Sequence, residues 1–331
     1  MTLRIGLVAA GRITGPALVD PANAHPDVEI TVVGARDLTR AKDAAARWGA
    51  RHAVGSWHEV WEHDDVDAVY IATPAGYHRS TTIAALEAGK HVLCEKPLAS
   101  NAAEAAEMVA AATGADRILM EAFHWRYHPM VDEMSKVLAS GELGQIIHGS
   151  AVFDLPNEAI ARSDIRWNHS IGGGSLMDLG CYPVQWLKWA FGDGAVVTSA
   201  AAVCPEPLVD GRITARLEWP SGVTGDLSSS MIEPDGRKDI SLTITGTKGT
   251  MVALNPLAPQ RGATIDVVTT TEARHIDVVS TATYAHQLDA FVTAVSTGVP
   301  PVTSGNDSIE TMRIIDEIYT AAGIGPRPRV A

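Results

Sequence analysis

The sequence predicts a two-part α/β chain: an N-terminal doubly wound parallel sheet of the Rossmann type, then an α+β domain on a mostly antiparallel open sheet. Three observations predict it. Over residues 1–122, short apolar runs at 5–9, 29–33, 68–71, 91–94 and 118–120 alternate with helical patterns, as expected of βαβ units whose helices cover both faces of a parallel sheet. From Phe123 the texture changes, and later strand-like runs follow one another through turn residues such as PSG and TKG, as antiparallel neighbours do. At 331 residues the chain also exceeds the size at which one core keeps growing. The expected domains are 1–122 and 123–331.

Each element of the first part has a local reason. Residues 5–9 form a buried strand that runs into AAGRIT and then a helix, the order of the dinucleotide fingerprint GxGxxG. Its glycines permit the turn, admit a pyrophosphate close to the backbone and let helix pack on strand. Only the middle one is kept, as Gly11; Ala9 and Thr14 hold the outer places, so the surrounding strands and helices carry the reading. The strand at 29–33 ends in Gly34 and Ala35 where an acid would mark NAD, and Arg36 follows, a guanidinium suited to a 2′-phosphate. NADP is the expected cofactor, with NAD left open by the nearby Asp37. Helices are expected at 38–48 and 79–88. HVLCEKPL, 91–98, is too short an apolar run for a helix, and Pro97 stops the ladder and biases Lys96 toward an extended conformation. Glu95 and Lys96 thereby reach the carboxyl edge of the sheet, where open α/β sheets bind ligands. Ser100 and Asn101, with Glu104, form a capping-box pattern ahead of a helix reaching 112.

In the second part a helix is expected at 130–139, strands at 146–155, 197–203, 212–219, 223–230, 240–245 and 265–268, and helices at 284–296 and 307–321. Its chemically loaded stretch is GGGSLMDLGCYPVQW, where three glycines lead into a helix. Asp178, Tyr182 and Gln185 follow the i, i+4, i+7 spacing, so they are expected on one face.

Composition excludes several classes. With 26 basic and 39 acidic residues, a formal charge of -13 disfavours nucleic acid and anionic membrane as partners. Three cysteines, Cys94, Cys181 and Cys204, suggest neither disulfide framework nor zinc spacing, and no signal peptide or membrane span is evident, so a cytoplasmic protein is expected. His124 with His128, and His58 with His63, lack the HExxH pattern and a third ligand, so no metal is expected. GxSxG is absent, which sets aside a serine hydrolase.

The combination of AAGRIT, TPAGYH, EKPL and GGGSLMDLGCYPV resembles the glucose-fructose oxidoreductase and inositol dehydrogenase family of NAD(P)-dependent oxidoreductases, and EAFHWRYHP is most similar to its sugar dehydrogenase and dihydrodiol dehydrogenase branch. The resemblance implies cofactor contacts from Ala9, Gly11, Arg12, Ile13, Thr73, Pro74, His78, Glu95 and Lys96, beside Arg36. It implies catalytic positions at Lys96, Asp178 and Tyr182. Hydride transfer to or from nicotinamide requires the substrate oxygen to lose or gain a proton, and a lysine cation beside a phenol favours phenolate. Tyr182 is then the expected proton carrier and Lys96 its electrostatic partner, although the resemblance leaves open which of the two moves the proton. Trp125, Arg126 and Arg166, with Asp178 and Tyr182, offer rings and donors suited to a polyhydroxylated ring. An aldose such as xylose or glucose and a trans-dihydrodiol both remain open, as does a nonenzymatic NADP-binding sensor or scaffold. A homodimer or larger homo-oligomer is expected, because the late strands promise an apolar sheet face to cover.

Overall fold

The computed structural model describes residues 2–330. Its first sheet contains β1 (Leu3–Val8), β2 (Val28–Gly34), β3 (His52–Val54), β4 (Ala68–Ile71), β5 (His91–Cys94) and β6 (Leu119–Glu121). The spatial order is β3-β2-β1-β4-β5-β6 and every pair is parallel, so the order reverses between β1 and β4. That reversal leaves a crevice at the strands' carboxyl ends, the usual place for a nucleotide. The connections carry α1 (Asp20–Ala24), α2 (Leu38–Trp48), α3 (His58–Trp61), α4 (His78–Glu87) and α5 (Ala102–Ala115). With helices on both faces, all four residues of β4 are buried, which explains its unbroken apolar sequence. Local signals set the helix ends: the Asp37 side chain caps α2, and Asn101 accepts from Glu104 N at 3.0 Å while the Glu104 carboxylate accepts from Ser100 N at 3.2 Å.

The second part begins with α6 (Pro129–Ser140), β7 (Ile146–Pro156) and α7 (Cys181–Phe191). It continues through β8 (Val196–Val203), β9 (Arg212–Glu218), β10 (Thr224–Glu233), β11 (Asp239–Gly246), β12 (Gly249–Leu254), β13 (Thr264–Thr269) and β14 (Ala273–Ile276), and ends in α8 (Thr283–Thr297) and α9 (Asn306–Ala321). The eight strands run in the order β14-β13-β12-β11-β7-β10-β9-β8, antiparallel except where β10 lies parallel to β7.

Alternation along these strands sorts the two faces. Ala151, Phe153, Leu227, Leu242 and Ile244 are buried on the face that α7 covers, and a Cβ on Gly149 would strike Leu187 and Phe191 of that helix. The opposite face presents Ser150, Thr214, Ser228, Ser241 and Thr243. The expected apolar outer face is therefore hydroxyl-rich instead: the valines, leucines and isoleucines of these strands mostly point inward.

By contacts the chain forms two compact units, one of residues up to Phe123 with Tyr284–Ile309 and the stretch from Arg329, the other His124–Thr283 with Glu310–Pro328. This differs from a single cut after residue 122, because α8 and the start of α9 return to the first unit. Glu121 N donates to Thr303 O at 2.9 Å, Thr303 Oγ1 donates to Glu121 O at 2.7 Å, and Arg329 pairs with Glu107. Among the described residues no helix is long and apolar enough to cross a membrane.

Candidate active site

In the first unit the β1 turn keeps the fingerprint's geometry without its outer glycines. Ala9 adopts a φ of 81°, the left-handed region that a glycine would normally supply. Thr14 is fully buried and its Oγ1 donates to Ala9 O at 3.3 Å, so a hydrogen bond ties helix to strand where the third glycine would allow close packing. A Cβ on Gly11 would stand 3.6 Å from Ala72 O and 3.8 Å from Thr14 Oγ1, ordinary contact distances, so no protein atom crowds the turn there. Ile13 is exposed.

A cavity of about 240 Å³ adjoins this turn, lined by Gly11, Arg12, Arg40, Asp43 and Arg47 among others. Arg40 and Arg47 were not among the sequence candidates, although their seven-residue spacing on α2 puts them on one helix face. Arg36 is exposed, its guanidinium carbon 5.7 Å from the Trp57 ring centroid. Asp37, the residue that kept NAD open, is engaged as the cap of α2, accepting from Thr39 N at 2.7 Å and Arg40 N at 3.4 Å. Just beyond the end of β4, Thr73 Oγ1 is buried with no hydrogen-bond partner among the described residues, a vacant valence beside the same sheet edge. An open glycine turn, a vacant buried hydroxyl and several arginines fit a dinucleotide that carries an additional phosphate.

The remaining nucleotide-edge residues hold the loops in place. His78 is 1% exposed, with Nδ1 3.0 Å from Pro97 O and Nε2 2.7 Å from Thr73 O. Both ring nitrogens face backbone carbonyls, so His78 ties the loop containing Pro74 to the EKPL loop rather than presenting a nitrogen to a ligand. Burial pushes its imidazole down, opposed by those carbonyls. Glu95 is buried and accepts from Tyr70 Oη at 2.6 Å, and Glu121 Oε1 accepts from Leu98 N at 2.8 Å. Two buried acids thus pin the loop on which Lys96 sits half-buried, with a cis bond between Lys96 and Pro97.

In the second unit the glycines have steric reasons. Gly174 has a φ of 136°, and a Cβ there would fall on Asp210, Arg327 and Tyr319. Arg327 Nε donates to Gly173 O at 2.7 Å, Leu176 N donates to Asp210 Oδ2 at 2.7 Å, and the Arg327 guanidinium pairs with Asp210. Burial pushes the Asp210 carboxyl up, opposed by Arg327. Residues Leu176–Gly180 then wind as a π-helix before α7. The wider turn sets Asp178 apart from Tyr182 and Gln185, which both lie on α7. Asp178 accepts from Arg166 Nε at 2.5 Å, the Tyr182 hydroxyl lies 3.3 Å from His124 Nε2, and Gln185 Nε2 donates to Thr311 Oγ1 at 2.7 Å.

Arg166 also pairs with Asp164 at 3.0 Å, and the charge of Asp178 raises its pKa. It is thereby held against the Asp178 carboxylate. Trp125 corrects an expectation: it is fully buried, edge-on to Trp186 and Trp189 at ring separations of 6.3 and 6.1 Å, and so serves as core rather than as a sugar platform. Arg126 lies over that ring at 6.0 Å. Tyr182 is 5% exposed, with Phe153 and Trp186 packed on its ring.

Among the described residues, His52, His63 and Asp65 bring three donor atoms within 4.8 Å of one another. Asp65 already accepts from Arg4 at 3.2 Å and lies 3.6 Å from Arg51, so two guanidiniums balance its charge and the cluster reads as an ion-pair network.

Comparison with known proteins agrees with this geometry. Residues 3–123 match the model of the oxidoreductase family with an NAD-binding Rossmann fold, and residues 131–252 match the GFO/IDH/MocA C-terminal domain. The chain is 34% identical to the D-xylose 1-dehydrogenase (NADP(+)) 2 of Haloferax volcanii over 94% of its length and 95% of the relative's. It is 37% identical to the trans-1,2-dihydrobenzene-1,2-diol dehydrogenase of Oryctolagus cuniculus over 76% of its length and 75% of the relative's. Among solved structures, the 3-ketoreductase KijD10 of Actinomadura kijaniata, in complex with NADP and TDP-benzene, superposes with a TM-score of 0.89 at 26% identity, covering 97% of this chain and 98% of the other. With its parallel sheet, its glycine-led helix and these matches along nearly its whole length, the chain belongs to the GFO/IDH/MocA family of oxidoreductases.

Proposed function

We propose that this oxidoreductase is an NADP-dependent dehydrogenase of a polyhydroxylated ring, oxidising an aldose at its anomeric carbon, with Tyr182 as proton carrier and Lys96 as the cation that favours its phenolate. The observation that carries the reading is Tyr182 itself, a phenol 5% exposed whose hydroxyl lies against His124 in an aromatic surround. Bound NADP supplies the hydride acceptor. Arg12, Arg36, Arg40 and Arg47 would meet its phosphates, and Thr73 Oγ1 offers a vacant hydroxyl at the same edge. Asp178, held by Arg166, would accept from a substrate hydroxyl, and Arg126 would donate to another. Tyr182 then takes the proton of the hydroxyl being oxidised.

The sugar is favoured by the Haloferax relative, which aligns over nearly the whole chain. The Oryctolagus relative, more identical over a shorter span, favours a trans-dihydrodiol as the second reading. NADP reduction measured with D-xylose, D-glucose and a trans-dihydrodiol separates the two, and good activity on simple aliphatic alcohols alone would refute both. Lys96→Ala and Tyr182→Phe should each lower turnover about 100-fold or more. A homodimer or larger homo-oligomer belongs to the same proposal, and light scattering reads its mass.

A further inference from the structure

We infer that His124 relays the proton of Tyr182 and that Thr283 sets its tautomer, an inference that rests on Tyr182 being the proton carrier. The three side chains come from distant parts of the second unit and are at most 5% exposed. His124 Nδ1 lies 2.7 Å from Thr283 Oγ1 and Nε2 lies 3.3 Å from Tyr182 Oη, and the two rings meet edge to face at 5.9 Å.

The partners distinguish this imidazole from the other buried histidines. His78 faces two carbonyls, which only accept, and His128 Nδ1 accepts from Met130 N, which only donates. Those contacts suit one protonation pattern each. At His124 both partners are hydroxyls, and a hydroxyl both donates and accepts. The line therefore has two complete hydrogen-bonded forms. In one, Tyr182 O–H donates to Nε2 and Nδ1–H donates to Thr283. In the other, Thr283 O–H donates to Nδ1 and Nε2–H donates to the Tyr182 oxygen, which is the form that steadies a phenolate. The ionisable groups of this line and of the segment that carries it are Tyr182 on α7 and, flanking His124 in sequence, Arg126, Tyr127 and His128; Phe153 and Trp186, packed on the Tyr182 ring, carry no charge.

The proton balance is simple. With oxidised nicotinamide bound to take the substrate's hydride, the C=O bond would form and the hydroxyl proton would go to the Tyr182 phenolate. Nε2 can take it onward only when bare, with the ring proton on Nδ1 as in the first form; Tyr182, now a phenol, then passes the proton to Nε2, which restores the phenolate and makes an imidazolium. The imidazolium returns to neutral by giving its Nδ1 proton by way of Thr283 to water, which leaves Nε2–H on the phenolate, the second form. A relay of this kind makes turnover depend on the ionisation of His124 as well as that of Tyr182.

The test compares His124→Gln, which keeps a hydrogen-bonding group but does not titrate, with His124→Ala, Thr283→Val and Tyr182→Phe, each first checked for native circular dichroism. His124→Gln should lower kcat about 10- to 100-fold with KM changed only a few-fold, and should remove one limb of the pH–rate profile. Added imidazole should restore part of the rate of His124→Ala. In the cofactor-free protein, tyrosine labelled at Cζ reads the ionisation of Tyr182 by NMR, and His124→Gln should move its midpoint by about one pH unit or more. If Tyr182→Phe is inactive while His124→Gln keeps the pH profile, the rate and the Tyr182 midpoint of the unaltered protein, the relay is overturned and the role of Tyr182 stands. If Tyr182→Phe retains its turnover, the proposed function fails, and the relay with it.

Discussion

Removing either member of the Arg327–Asp210 pair should cost the second unit much of its stability. Both side chains are 0% exposed, so the surviving charge would be left in the interior without its counterion. Loss of one partner from such a pair costs about 3–5 kcal/mol, against a total for a domain of about 5–15 kcal/mol. Arg327→Met would also lose the 2.7 Å bond to Gly173 O and the stacking of the guanidinium 3.9 Å over the Tyr319 ring. For a unit of this size each kcal/mol moves the midpoint by about 2–4 °C, so a drop of about 6–20 °C is expected. Thermal unfolding followed by circular dichroism measures it, with Asp210→Asn and the double variant completing a cycle. The double variant should melt above the lower of the two singles, because no unpaired charge remains. A single variant melting within about 2 °C of the unaltered protein, or losses that simply add, would refute the argument that this buried pair holds the glycine loop to the C-terminal segment.

Two further predictions concern pH and cofactor. Burial pushes the Asp154 carboxyl up to about 6, with Ser228 opposing and Glu233 adding to the rise. A folded value above the unfolded one, about 4, means that its stabilising contribution is complete below pH ~4 and is lost as pH rises through ~6, by up to about 3 kcal/mol. Asp154→Asn should flatten melting temperature against pH across that window and raise it at pH ~8; an unchanged slope would count against the assignment. Arg40→Ala should weaken NADP(H) binding about 10- to 100-fold and leave NAD(H) within a few-fold, measured by fluorescence titration, whereas equal losses for both cofactors would remove Arg40 from the phosphate site.

The parts of the fold most legible in the sequence are those whose signals are local. Helix α2 runs from Leu38 to Trp48 as its pattern predicts, because Asp37 caps one end and Gly49, at a φ of 75°, closes the other. Strand β4 matches its apolar run residue for residue. β3 and β14 went unseen because they are three and four residues long and only half-buried or exposed, too short to show alternation. The return of α8 to the first unit was also hidden, since the Glu121–Thr303 bonds join residues 182 apart.

The site was legible as residue types more than as geometry. Lys96, Asp178 and Tyr182 stood out as candidates because glycines, a proline and polar groups in an apolar helix are costly unless something needs them. Their arrangement depended on a change of helical period that composition does not announce. A four-residue step keeps two side chains on one face only at 3.6 residues per turn, and the π-helical turn at Leu176–Gly180 breaks that count. The break has a steric reason: a Cβ on Gly180 would stand 2.7 Å from Ser229 Oγ, so the turn lies hard against β10. The Ser175 and Ser229 hydroxyls, 2.7 Å apart, tie it there. Asp178 is consequently left to Arg166 while Tyr182 goes to His124, and one expected stripe becomes two chemical positions, a fixed carboxylate and a hydroxyl on a proton line.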